Sequence, residues 1–136
     1  MTKKKKTHLL RYAGQKQRFA RSVVAGDFVF LSGSSGRTLE TGEVSSDDVR
    51  DQTRVAMDKI RLALEEAGTS MEKIVKVLIY FKDMKDYEAV KQTEFEYWGK
   101  HAPALVAEPP ASTVCQVSSL SKPNMLVEFE ITALRA

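Results

Sequence analysis

Two carboxylates stand two residues apart near the C-terminus, in the segment Val127-Glu128-Phe129-Glu130-Ile131. In a strand that spacing puts Glu128 and Glu130 on one face. A carboxylate lining a pocket can act as acid or base, or hold a water; on an open face the same pair is ordinary surface charge. A second candidate is Ser32-Gly33-Ser34-Ser35-Gly36, followed by Arg37. Consecutive small residues let backbone N–H groups approach an anion closely. A guanidinium at the mouth of such a nest can bind a carboxylate through two parallel hydrogen bonds. The stretch has neither the Gly-Lys-Ser/Thr of a P-loop nor the spacing of a dinucleotide fingerprint, and on these residues alone the flexible polar loop is the favoured reading. Ser112, Thr113 and Cys115 come after Pro109-Pro110, but a nucleophile needs a base, and no motif links His8 or His101 to them. Cys115 therefore reads as packing. With one cysteine and two histidines, and no CxxC or HxxxH spacing, no metal site is expected.

The elements that must position these residues are set by periodicity. Gly26-Asp27 lies between the β-type runs Phe19–Ala25 and Phe28–Leu31 and reads as a hairpin turn. Thr41-Gly42 marks a further turn. Val49, Thr53, Ala56, Met57, Ile60, Ala63, Leu64 and Ala67 have helical spacing. Ser45 with Asp48 resembles a capping box, and Gly68 is placed to end the helix. Ile74–Phe81, nearly all apolar, predicts a strand buried on both faces. Asp83 caps a second helix over 84–98 that Gly99 ends, and Pro103, Pro109 and Pro110 break the next stretch into loop. Ala111–Val117 reads as a strand. Leu126–Leu134 alternates, with Val127, Phe129, Ile131 and Ala133 on one side. The order predicts an α+β fold, a mixed sheet with two helices on one face. The uncovered face must then be polar or buried by another subunit, so an oligomer is expected.

The chain has 136 residues, 43% of them hydrophobic, and suits one folded domain. The formal charge is +3. Lys3, Lys4, Lys5 and Lys6 contribute four positive charges, so without them the body carries −1. The basicity belongs to a tail, expected to be solvated and disordered over residues 1–7, ahead of a single domain over 8–136. Nucleic acid is not an expected partner. The longest apolar run, Val77–Phe81, is far short of a membrane span. No apolar stretch comes after the lysines as in a signal peptide. A single cysteine fits a reducing, cytoplasmic setting.

From Gly26 onward the residues resemble the Rid family, also called YjgF or L-PSP. The matching pieces are Gly26-Asp27-Phe28-Val29-Phe30-Leu31-Ser32-Gly33, Thr41-Gly42-Glu43, Asp51-Gln52-Thr53, Ala67-Gly68, Ile74-Val75-Lys76, Phe81-Lys82-Asp83-Met84, Asp86-Tyr87, Pro110-Ala111 and Val127-Glu128-Phe129-Glu130-Ile131. The resemblance implies a chorismate-mutase-like fold in a homotrimer, with an inner barrel of sheets and three clefts between subunits. It implies hydrolysis of enamines and imines of small 2-amino acids, such as 2-aminoacrylate, with release of ammonia and no cofactor. By position, Glu128 is then the residue that orients water. Ser32 and Gly33 line the cleft, Phe19 falls where a tyrosine is usual, and Lys91 where asparagine is frequent. The family's Pro-Ala-Arg-Ser is here Pro110-Ala111-Ser112-Thr113, so Ser112 replaces the arginine that holds the substrate carboxylate. Arg37 or Lys91 is left to supply that charge. Two other readings stay open: a metabolite-binding or chaperone-like trimer without turnover, and a ribonuclease acting on single-stranded RNA.

Overall fold

The computed structural model describes residues 5–136. Strand β1 (Lys5–Tyr12) pairs antiparallel with β2 (Gln15–Ala25), which pairs with β3 (Phe28–Leu31). The two-residue strand β4 (Ser34–Ser35) precedes helix α1 (Val49–Glu66). Strand β5 (Ile74–Phe81), helix α2 (Tyr87–His101), the short helix α3 (Ala104–Ala107), β6 (Ala111–Gln116) and β7 (Val127–Leu134) complete the chain. One mixed sheet runs β1-β2-β3-β7-β5-β6, with β4 also on β7; only β5 and β6 are parallel. The expected α+β architecture is present.

β7 is the keel of the molecule. Val127, Phe129, Ile131 and Ala133 are all buried, and they pack with Val29, Leu31, Val77, Ile79 and Phe81 beneath the helices. α1 contributes Ala56, Met57, Ile60, Ala63 and Leu64 to this core, and α2 contributes Val90, Tyr97 and Trp98. The opposite sheet face leaves Phe28, Phe30 and Leu134 exposed.

Several local features depart from the sequence expectation. β1 has no counterpart in it, and Lys5, Lys6 and Thr7 lie in that strand rather than in a tail; the expected tail residues 1–4 lie outside the described residues. Ala13 and Gly14, both at positive φ, close the β1–β2 hairpin, a pair suited to a two-residue turn. Ser34-Ser35, expected in a flexible loop, is buried and pairs with Phe129 and Glu128, because β7 offers free backbone groups there. Asp48 itself caps α1, accepting from the N–H groups of Arg50 and Asp51 at 2.7 and 3.3 Å, so the Ser45 box is not formed. Gly68, at φ +84, ends the helix as expected: its N–H reaches Glu65 O, and that of Thr69 reaches Leu64 O. β5 is buried on its helix side only, with Leu78 and Tyr80 half-buried on the other. α2 runs past Gly99 to His101, and Ala104–Ala107 forms a helical turn within the stretch expected as loop. Cys115 is exposed on β6, not packed. Among the described residues no helix is long and apolar enough to cross a membrane.

Candidate functional site

The pairing of β4 with β7 builds the site. Ser35 stands opposite Glu128, which brings the turn at Gly33 onto the Glu128 side chain. A Cβ on Gly33 would lie 2.7 Å from Glu128 Oε2, so a glycine is needed for the carboxylate to lie where it does. The neighbouring hydroxyls hold the turn in place. Ser32 Oγ donates to Ala20 O at 2.6 Å, and Ser34 Oγ donates to Ala56 O at 2.9 Å, tying the turn to β2 and to α1.

The resulting cleft has a volume of about 420 Å³ and is walled by Tyr12, Phe19, Ser32, Gly33, Ser35, Arg37, Ser121, Met125 and Glu128. Arg37 Nε donates to Gly42 O at 2.7 Å, and the guanidinium carbon sits 4.0 Å from the centre of the Tyr12 ring. That anchoring orders the side chain and leaves the fork's terminal amino groups available to an anion. Beneath it, Lys59 from α1 donates from Nζ to Tyr12 Oη at 3.1 Å. Burial pushes the Glu128 carboxyl above its usual pKa, although Lys59 and Arg37 pull it down; nearby Glu130 raises it further. Burial also raises the Tyr12 hydroxyl. It lowers Lys59 to about 7, helped by the Arg37 charge and opposed by Glu128. Opposed titratable groups of this kind, held in a cleft by burial and by each other, are what proton-transfer chemistry near neutral pH requires.

Five of the residues singled out from sequence therefore share one cleft: Phe19, Ser32, Gly33, Arg37 and Glu128. Lys91 and Ser112 do not join them within one chain. Lys91 lies on α2, where Nζ contacts Glu94 Oε1 at 2.6 Å and compensates that buried carboxylate. Its charge is thus committed elsewhere. Ser112 is exposed on β6, beyond β5 from β7. Glu130 accepts from Tyr80 Oη at 3.0 Å on the open sheet face and lies outside the cleft lining. Sequence reasoning missed Tyr12 and Lys59. The signal for Lys59 was available, since it falls between Ala56 and Ala63 on the apolar stripe of α1, where a charge is out of pattern. Among the described residues no three His, Cys, Asp or Glu side chains gather as a metal site.

A family model described as Endoribonuclease L-PSP matches residues 12–135. The chain belongs to the L-PSP family. This L-PSP chain is 35% identical over 117 residues to a RutC family protein of Pyrococcus horikoshii, an alignment covering 86% of each. It is 29% identical over 117 residues to the 2-iminobutanoate/2-iminopropanoate deaminase of Escherichia coli, covering 86% of this chain and 87% of the other. Among solved structures, Escherichia coli TdcF with bound serine superposes with a TM-score of 0.82 at 26% identity, covering 96% of this chain and 100% of that one. The fold is thus the chorismate-mutase-like one of the Rid superfamily.

Proposed function

We propose that the cleft binds a small carboxylated imine or enamine and hydrolyses it, releasing ammonia. One observation carries the reading: a half-buried carboxylate of raised pKa, Glu128, shares a cleft with an ordered guanidinium, Arg37. Deaminases among the relatives, and a relative that holds serine, support it. Arg37 takes the substrate carboxylate, in the role that Ser112 cannot fill. The Gly33 N–H contacts the reacting centre from the turn. The substrate is first protonated to its iminium, an imine at nitrogen and an enamine at its terminal carbon. Glu128 then removes a proton from water as the oxygen adds to the iminium carbon. It then passes that proton to the nitrogen. The C–N bond breaks as the carbonyl forms, the hydroxyl proton returns to Glu128, and ammonia leaves with it as ammonium. No cofactor is needed for these steps.

We also infer that the working molecule is a homotrimer, in which the exposed face bearing Phe28, Phe30 and Leu134 is covered by neighbouring copies. Ser112, exposed on β6, favours a second reading, a trimer that binds such metabolites without turnover. Ammonia release from freshly generated 2-aminoacrylate separates the two. Arg37→Met is expected to raise KM about tenfold to a hundredfold, the scale of a lost charged hydrogen bond. Binding of a 2-oxo acid by a wild type that releases no ammonia would instead establish the second reading.

A further inference from the structure

Lys59 is a buried cation beside the site that the proposed chemistry leaves unused. It lies on the sheet-facing side of α1 and is only 7% exposed. Its ammonium donates to Tyr12 Oη at 3.1 Å. A phenol oxygen that accepts from an ammonium keeps its own O–H free to donate in another direction. Tyr12 stands at the junction of two spaces. It walls the cleft that holds Glu128 and Arg37, and with Lys59 it also walls a cavity of about 30 Å³. That volume suits a single water. Ser32 and Gly33 line both spaces too, so Tyr12, Ser32 and Gly33 form the partition between cavity and cleft.

The charges around Lys59 come from separate elements. Arg37 approaches from the segment after β4, Arg21 from β2 and Glu128 from β7, while Glu40, Asp58 and Arg61 share with Lys59 the lining of a separate shallow groove beside α1. Burial first, then the two guanidiniums, hold its pKa at about 7 against the opposite pull of Glu128. A group in that range gives up and regains a proton readily near neutral pH.

We propose that Tyr12 and Lys59 form a proton-donating pair behind the cleft, with the Tyr12 hydroxyl delivering a proton to the nitrogen of a bound neutral imine. This rests on the imine-hydrolysis reading above. The Tyr12 O–H bond breaks as an N–H bond forms on the substrate, and a proton moves from Lys59 Nζ to the Tyr12 oxygen. The substrate becomes an iminium, Tyr12 is restored, and Lys59 is left as a neutral amine that recovers its proton from solvent. Tyr12 touches the substrate; Lys59 acts through it and is a positioning residue. Since Lys59 loses its proton as pH rises through about 7, the charged donor is present below that pH and depleted above it.

Ammonia release from 2-aminoacrylate, measured from about pH 5.5 to 9, tests the pair. Tyr12→Phe and Lys59→Met are expected to lower kcat about tenfold to a hundredfold with KM within about twofold, and Lys59→Met to lose the wild type's decline above neutral pH. Lys59→Arg keeps the charge and the hydrogen bond but holds its proton throughout this range, so it too is expected to lose turnover. A Lys59→Met profile that superimposes on the wild type overturns the proposal, as does full activity in Lys59→Arg. If the wild type releases no ammonia, the imine reading fails separately. The pair is then judged by NMR titration of the Lys59 side chain with and without pyruvate. A midpoint of about 7 that moves when pyruvate is present supports it; an ordinary lysine midpoint, or one indifferent to pyruvate, overturns it.

Discussion

Glu128 and Gly33 show how closely single residues set the site. The carboxylate occupies the space that any side chain at position 33 would claim, with its Oε2 only 2.7 Å from where a Cβ would stand. The three nearest atoms, Oε2, Cδ and Cγ, all belong to this one flexible side chain, so Gly33→Ala is expected to leave the melting temperature almost unchanged while turning the carboxylate away. Misplacement of a reacting group by about 1 Å costs up to a hundredfold in rate, and a loss of that order in ammonia release is the expected outcome. Wild-type turnover in Gly33→Ala would show that the carboxylate's position does not matter. Small residues and an arginine after a strand, and a lone glutamate pair on the last strand, were legible because chemistry restricts which residue types do such work. Lys59 was missed although its place between Ala56 and Ala63 on the apolar stripe marks it, because a lysine in a charged helix passes for solvated surface until the sheet is laid against it. Arg37 and Lys91 were indistinguishable as cations in sequence. What separates them is the company each keeps: Gly42 O and the Tyr12 ring for one, buried Glu94 for the other.

Helix α1 and strand β7 were legible as elements because each has a clean period, 3.6 in one and 2 in the other. β1 was not. Its pairing with β2 shifts register between His8 and Arg11, so its apolar residues do not alternate strictly, and the turn residues Ala13-Gly14 are less distinctive than Gly26-Asp27. β4 is too short for any period, and it exists only because β7 has free backbone to pair with. The end of α1 gives the most local test at this scale. Gly68 holds φ +84, and nothing lies within 4 Å of where a Cβ would be. Gly68→Ala therefore adds backbone strain and no clash. It is expected to destabilise the fold by about 1 kcal/mol, read as a lower urea midpoint at unchanged slope. A midpoint equal to that of the wild type would mean that the left-handed turn is not the feature holding the helix end.

For the whole molecule, net charge pointed away from the informative places. The body's charge is near zero, while Arg37 in the cleft and Lys59 behind it stand close to a single raised carboxylate. The uncovered sheet face was legible as one that must be polar or covered by another subunit, since helices cover only one side. Phe28 and Phe30 are 41% and 46% exposed there, too much aromatic surface to leave in water without a purpose. Phe30→Glu is expected to convert a trimer to monomers by light scattering while far-UV circular dichroism keeps its helix and strand signal. A wild type that is already monomeric would exclude the trimer. Everything else rests on the claim that this cleft turns over imines with Glu128 as its base, and ammonia release from 2-aminoacrylate by wild type and Glu128→Gln measures it most directly. Release well above the buffer rate is expected for the wild type, with a fall of about a hundredfold or more in the variant; equal rates for the two proteins would contradict the claim.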